Sequence, residues 1–120
     1  MVLRLQINMI IGKEFKFNAA HKLPNYNGKC KNLHGHTWKL IISLEGKVNK
    51  DTGMIVDFKE LKAQVKEQVL DKLDHGYLNE IIDNPTCENL LTWIKENLKI
   101  KDLKSIKLYE SENSWCGLEI

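Results

Sequence analysis

The chain has 120 residues, of which 42% are hydrophobic and 28% are charged, and its formal net charge is only +2. This balance predicts one globular domain over residues 1–120, and the small charge does not favour nucleic-acid or membrane binding. No apolar run is long enough to span a bilayer. The absence of signal-peptide features and the odd count of three cysteines favour a reducing cytoplasm.

The N-terminal segment predicts one long or bent strand over residues 3–21, in which Gly12 can mark a bulge or break. Alternation places four of its side chains on one face: Phe15, Phe17, Ala19 and His21. A loop with Pro, Asn and Gly residues follows over residues 23–33. A second strand is predicted over residues 36–46, with Trp38 and Leu40 on the apolar face.

Three histidines lie where these two strands meet the loop. His34 and His36 are two residues apart and therefore point to one face of an extended chain. If the strands are antiparallel neighbours, the end of the first lies beside the start of the second, which brings His21 to the same place. Three imidazoles with an open fourth position are the ligand set of a catalytic zinc ion.

Cys30 lies in the same loop, four residues before His34. Its thiolate could complete a closed four-ligand site, or it could stand beside an open site as a base or nucleophile. The neighbouring Lys29 and Lys31 favour the thiolate in either case. Together with Lys22, these lysines could attract an anionic substrate, although solvated loop lysines explain them equally well.

The rest of the chain alternates between helical and extended patterns. Asp57 is the predicted N-cap of a helix that ends at His75 and Gly76, where the glycine suits the left-handed C-terminal position. Asn84 and Pro85 open a second helix, with Pro85 at or near its first position. Two further strands are predicted over residues 105–110 and 115–120. This order predicts an α+β fold, with a four-stranded antiparallel sheet and two helices on one face. The two open sheet edges favour oligomerisation into a barrel.

Three acidic or imidazole side chains are further candidates for the site. Asp74 and His75 can simply cap a helix end, but beside a metal and Cys30 they can also act as a pair that transfers protons. Glu110 ends a strand on its apolar face, where its carboxylate either reaches solvent or accepts two parallel N–H bonds from a guanidine-like edge.

Six ordered segments from Phe15 onward resemble the 6-pyruvoyl-tetrahydropterin synthase and 6-carboxytetrahydropterin synthase family. They are FNAAHKLP, CKNLHGH, DTGMIVDF, LDHGYLN, NPTCEN and LYESEN. The chain departs from the family pattern at Cys87, which replaces a more usual hydroxyl residue, and its first dozen residues have no recognised counterpart. The resemblance implies a tunnelling fold, in which two trimers pair face to face into a homohexamer with active sites between subunits.

The resemblance also implies a role for each candidate residue. The zinc ligands would be His21, His34 and His36. The catalytic residues would be Cys30 as base and Asp74 with His75 as the proton-relay pair. Glu110 would bind the 2-amino group and the ring N–H of the pterin. Thr86 and Cys87 would also hold the pterin ring, Cys87 through its backbone.

The implied substrate is 7,8-dihydroneopterin triphosphate. Only three residues separate Cys30 from His34, a spacing that resembles the branch making 6-carboxy-5,6,7,8-tetrahydropterin with release of acetaldehyde and triphosphate. That product leads to 7-deazaguanine compounds such as queuosine. The alternatives are 6-pyruvoyl-tetrahydropterin synthesis or another cleavage of the dihydroneopterin side chain. A non-catalytic zinc-binding module, closed by Cys30, is an alternative of another class.

Overall fold

A computed structural model describes residues 7–120, and this part of the chain forms one five-stranded sheet. The strands are β1 (Asn8–His21), β2 (His34–Lys47), β3 (Gly76–Tyr77), β4 (Leu103–Ser111) and β5 (Ser114–Glu119). Their spatial order is β3-β1-β2-β4-β5. β1 with β2, β2 with β4, and β4 with β5 are antiparallel, whereas β3 runs parallel to β1.

The α+β class is confirmed, but the prediction of four antiparallel strands is wrong by one strand. β3 has only two residues, which pair with Ala19 and Ala20 of β1. Two residues contain too little alternation to be recognised as a strand in a sequence. This short parallel pairing attaches the segment that follows the first helix to the edge of the sheet.

β1 and β2 form a long hairpin whose register is continuous from His21 opposite His34 to Asn8 opposite Lys47. The expectation of a bulge or break at Gly12 is therefore wrong, because no residue is inserted there. β2 begins two residues earlier than predicted, since His34 already pairs with the last residue of β1. The predicted start of the first strand, at residues 3–6, lies outside the described residues.

The first helix comprises three consecutive segments: α1 (Phe58–Val65), a π-helical segment (Lys66–Leu70) and α2 (Asp71–Leu73). Asp57 is its N-cap, as predicted, and accepts a hydrogen bond from the Lys59 backbone N–H at 2.8 Å. The second long helix is α3 (Cys87–Asn97). No helix within residues 7–120 is long and apolar enough to cross a membrane.

The ends of both helices differ from the prediction. The left-handed backbone conformation falls on His75, with φ of 59°, and not on Gly76. Gly76 is instead required by space, because a Cβ there would lie 2.9 Å from the Leu73 carbonyl oxygen. At the second helix Thr86 is the N-cap, so Pro85 precedes the helix and does not begin it.

The core lies between the helices and one face of the sheet. Its fully buried side chains alternate along β1, β2 and β4 and recur at helical spacing in the helices: Phe17, Trp38, Leu40, Ile42, Val65, Leu90, Ile94 and Leu108. The opposite face of β1 carries exposed polar residues such as Lys16 and Asn18. This burial fixes which strand residues face the helices, and it directs His21 to the buried side.

Candidate metal centre and active site

The register of the β1–β2 hairpin brings three imidazole rings together at its loop end. The ring centroids are 4.6 Å apart for His21 and His34, 5.1 Å for His21 and His36, and 4.9 Å for His34 and His36. One ligand atom from each ring and one carboxylate oxygen of Glu110 all lie within 4.8 Å of one another. Nitrogen and oxygen donors at this separation can surround a single metal ion.

Backbone carbonyl groups orient two of the rings. His21 Nδ1 lies 2.7 Å from the Pro85 carbonyl oxygen, and His34 Nδ1 lies 2.7 Å from that of Asn32. When Nδ1–H donates to a carbonyl, Nε2 carries the free lone pair, which is the tautomer a metal needs. The His21 ring is fully buried, and its Nε2 has no hydrogen-bond partner. A buried nitrogen without a partner is costly, and a metal ion would satisfy it.

His36 contacts Glu110 on the neighbouring strand β4. His36 Nε2 lies 3.4 Å from Glu110 Oε1, although the pair lacks hydrogen-bond geometry. Burial lowers the pKa of His36, the carboxylate of Glu110 partly opposes this, and the other two histidines lower it further. The ring is thereby held neutral, the form that binds metal.

The Trp38 side chain packs against the histidine cluster. Its ring centroid lies 5.2 Å from that of His21 and 5.5 Å from that of His36, with both pairs edge-on. Its indole N–H donates to the Ala19 carbonyl at 3.2 Å. The Trp38 side chain is fully buried. A large side chain that is held by packing and by a hydrogen bond restricts the rings that it contacts.

The start of α3 lies against the same cluster through Pro85. Thr86, the next residue, uses its hydroxyl group to accept the Asn89 backbone N–H at 3.1 Å, so this oxygen caps the helix. Cys87 is buried, and its Sγ lies 3.5 Å from the Leu108 carbonyl oxygen. The first backbone N–H groups of a helix have no partner within the helix and can bind a ligand.

Asp74 and His75 form a second group, at the β3 edge of the sheet. Asp74 Oδ2 lies 3.1 Å from His75 Nδ1, and Asp74 Oδ1 accepts the Asn18 backbone N–H at 2.9 Å. The hydrogen bond from Asn18 lowers the pKa of Asp74, and the His75 ring adds to this effect. In the described part of the chain, no hydrogen bond or ion pair joins either residue to the histidine cluster.

Cys30 lies in a single 3₁₀ turn, Lys29–Lys31, within the loop that connects β1 to β2. Lys22, at the other end of this loop, is exposed, as are the two lysines of the turn. The loop begins and ends at zinc-ligand candidates, so the cysteine and lysines belong to the chain that borders the cluster.

Three groups in the site were not found from the sequence. The carbonyls of Pro85 and Asn32 orient imidazole rings, but a backbone carbonyl leaves no signal in the residue type. The Asn18 backbone N–H, which donates to Asp74, likewise leaves no signal in the residue type. The sequence places Glu110 only against the substrate, whereas its carboxylate also adjoins His36. Its inward position at a strand end is the signal that indicates this contact.

Comparisons of the sequence and of the structure with known proteins agree on one family. The family model for 6-pyruvoyl tetrahydropterin synthase matches residues 10–119. The chain is 41% identical to a 6-pyruvoyl tetrahydrobiopterin synthase of Dictyostelium discoideum, covering 89% of this chain and 93% of that protein. It is 38% identical to a 6-carboxy-5,6,7,8-tetrahydropterin synthase of Synechocystis, with coverage of 85% and 86%.

Two other proteins extend the comparison. A dihydroneopterin monophosphate aldolase of Pyrococcus furiosus is 38% identical, with coverage of 87% of this chain and 90% of that protein. The solved structure of Caenorhabditis elegans 6-pyruvoyl tetrahydropterin synthase shares the fold, with a TM-score of 0.87, 24% identity and coverage of 98% and 99%. The family match and these relatives show that the chain belongs to the 6-pyruvoyl tetrahydropterin synthase family of pterin-metabolising enzymes.

Proposed function

We propose that the protein is a zinc-dependent 6-carboxy-5,6,7,8-tetrahydropterin synthase. It acts on 7,8-dihydroneopterin triphosphate, releases acetaldehyde and triphosphate, and supplies the cytoplasmic synthesis of 7-deazaguanine compounds such as queuosine. The observation that carries this proposal is the convergence of His21, His34 and His36 beside Glu110. Three imidazoles that leave a further position for substrate are the ligand set of a catalytic zinc ion.

The three histidines would hold the zinc ion through their ring nitrogens. A bound zinc ion supplies Lewis-acid chemistry, which lowers the pKa of a hydroxyl group that it binds. The chain's own contribution is to fix the rings: the carbonyls of Pro85 and Asn32 set two tautomers, and burial keeps His36 neutral. The unpartnered Nε2 of His21 fits this role.

Glu110 and the start of α3 would bind the pterin ring. The two oxygens of Glu110 can accept parallel N–H bonds from the 2-amino group and the ring N–H, a strong and directional contact. The hydroxyl group of Thr86 already caps the helix, so we assign pterin contacts here chiefly to its backbone and that of Cys87. With Glu110 beside His36, a pterin bound there directs its side chain toward the metal ligands.

Proton transfer would be carried out by Cys30 as base and by the Asp74–His75 pair. The Asp74 carboxylate binds Nδ1 of His75, which leaves Nε2 to exchange a proton. Because the pair lies at the β3 edge, we propose that it serves the histidine cluster of a neighbouring subunit. The assembly would be a homohexamer built as a dimer of trimers, in which sheets join at their edges into barrels.

The choice of the carboxy branch depends on the short spacing between Cys30 and His34 and on relatives such as the Synechocystis enzyme. Identity alone does not separate the branches, since relatives named for three different pterin reactions are 38% to 41% identical to this chain. The pyruvoyl and aldolase reactions are therefore the alternatives that the test must distinguish.

The test is to incubate the zinc-loaded protein with 7,8-dihydroneopterin triphosphate and identify the products by mass spectrometry. We expect carboxytetrahydropterin, acetaldehyde and triphosphate. The matched variant Cys30→Ala should remain folded and zinc-loaded but lose the products. A pyruvoyl pterin, or a shortened pterin without acetaldehyde, would reject the carboxy branch. Unfolding and metal loss in Cys30→Ala would instead support a structural zinc site closed by the thiol.

A further inference from the structure

Two cysteine thiols lie in contact behind the candidate site. Cys87 Sγ and Cys116 Sγ are 3.1 Å apart. Cys87 is the first residue of α3, and Cys116 lies on β5, directly opposite Leu108 of β4. The thiol of Cys87 is not required by the proposed reaction, which uses this residue through its backbone, and Cys116 has no role in it.

The two sulfur atoms differ in access to solvent. Cys87 is buried, whereas Cys116 is partly exposed on β5, the strand at one edge of the sheet. A dissolved reagent would therefore meet Cys116 first. A disulfide requires a sulfur–sulfur distance of about 2.0 Å, so the pair needs an approach of roughly 1 Å to close. Closing the bond would bring the first residue of α3 and the middle of β5 together by this amount.

We propose that Cys87 and Cys116 form a reversible disulfide when the protein meets a low-molecular-weight disulfide such as oxidised glutathione. The Cys116 thiolate attacks one sulfur of the reagent, which forms a mixed disulfide and releases one reduced thiol. The Cys87 sulfur then attacks the Cys116 sulfur, forms the protein disulfide and releases the second thiol. In total, two protein thiols lose two hydrogen atoms and one reagent disulfide becomes two thiols.

The surroundings make this exchange slow at neutral pH. Burial raises the pKa of both thiols, and the carboxylates of Glu88 on α3 and Glu110 on β4 raise both further. Only the thiolate attacks a disulfide, so formation should accelerate about tenfold per pH unit below the thiol pKa. The contact between the two sulfurs raises the pKa of Cys87 and partly lowers that of Cys116, but the net pKa of both thiols is raised. The reduced form therefore gains no net thiolate stabilisation, so the disulfide is not a strong oxidant once formed.

The disulfide would form next to the histidine cluster. Cys87 follows Pro85 by two residues, and the Pro85 carbonyl orients His21. A covalent link between α3 and β5 therefore tightens the segment that holds one proposed zinc ligand. Because the link closes a loop between residues 87 and 116, it should also raise Tm, by about 5–10 °C.

The experiment equilibrates the 120-residue protein with oxidised glutathione at several pH values, quenches with acid and blocks remaining thiols. Trypsin separates the three cysteines, because Cys87 falls in residues 73–95, Cys116 in residues 108–120 and Cys30 in a separate dipeptide. We expect a linked pair of the first two peptides, removed by dithiothreitol, with formation faster at higher pH. The matched variant Cys116→Ser should give no linked pair and no rise in Tm.

Three results would overturn the proposal. Both thiols of the wild-type protein could remain fully available to the blocking reagent, the reaction could stop at the glutathione mixed disulfide, or Cys30 could replace either partner. Each is read directly from the peptides of the wild-type protein. The outcome therefore does not depend on how well Cys116→Ser folds or on any enzymatic activity.

Discussion

At the scale of single residues, the candidate centre depends on which ring nitrogen is free. Carbonyl oxygens hold Nδ1 of His21 and of His34, and the buried Nε2 atoms of His21 and His36 lack partners. Groups of this kind that support metal ligands commonly change metal affinity by about 10–100-fold when removed. Ring orientation, as well as residue type, should therefore control zinc binding.

Replacing a proposed ligand should lower metal affinity, whereas replacing the imidazole that pairs with Asp74 should not. We expect His36→Ala to lower zinc affinity by at least about tenfold, measured by competition with a chromophoric chelator. His75→Ala is the matched control, because its side chain is 80% exposed and forms its ion pair with Asp74. Equal zinc affinity in the two variants would contradict the assignment of His36 as a ligand.

The lowered pKa of His36 predicts how the stability of the metal-free protein depends on pH. The folded-state pKa lies below the unfolded value of about 6.5, so the unfolded chain binds the proton more readily. The stabilisation is present above pH 6.5 and is lost as pH falls through the folded-state pKa. Urea unfolding between pH 7 and 5 should show a weaker decline in His36→Gln than in wild type, and an equal decline would exclude this effect.

We expect Asp74→Asn to lower kcat strongly while changing the free energy of unfolding only slightly. Loss of the carboxylate that orients His75 should lower kcat by about 10²–10⁴-fold, the usual contribution of general acid–base catalysis. The free energy of unfolding should fall by less than about 1 kcal/mol, since the Asp74 side chain is 41% exposed and solvent screens its charge. Unchanged kcat in a folded, zinc-loaded Asp74→Asn would remove the pair from the mechanism.

At the scale of elements, caps and strand register position the site. Asp57 caps α1 through a single hydrogen bond to Lys59, so Asp57→Ala should cost about 1 kcal/mol of the free energy of unfolding. Asp51→Ala is the matched control, because this exposed aspartate caps no helix and its loss should fall within about 0.5 kcal/mol. Urea denaturation measures both, and equal effects would show that the cap contributes nothing.

The elements that the sequence predicts well are those with long patterns. Alternation along residues 15–21 and 36–44 predicts which side chains of β1 and β2 share the buried face, and antiparallel pairing then brings the three histidines together. β3 could not be predicted, because its two residues owe their place to Ala19 and Ala20 and not to their own pattern. The left-handed conformation likewise could not be predicted, because it falls on His75 and not on the neighbouring Gly76.

At the scale of the whole molecule, the sheet has two edges that the described chain does not fill. β3 covers β1 only at Ala19 and Ala20, and β5 pairs with β4 alone. An unpaired edge is a template for another chain. Which subunit supplies each catalytic group cannot be read from one sequence, since the same residues serve any arrangement of subunits.

Mixing two variants tests the proposed shared site. His36→Ala removes a proposed metal ligand, and His75→Ala removes part of the proposed proton relay, so each variant alone should be inactive. If each site takes these groups from different subunits, mixed assemblies contain some sites with neither defect and should recover part of the activity. Light scattering should give six subunits per particle. A monomer, or mixtures as inactive as the separate variants, would contradict the proposed assembly.

Zinc X-ray absorption spectroscopy on the resting protein tests the proposed ligand set directly, because it distinguishes nitrogen from sulfur ligands. We expect a first shell of nitrogen and oxygen atoms at about 2.0–2.1 Å, with the scattering pattern of imidazole rings. Cys30→Ala should leave this spectrum unchanged. A sulfur atom at about 2.3 Å that disappears in Cys30→Ala would make the cysteine a zinc ligand and contradict its role as the free base.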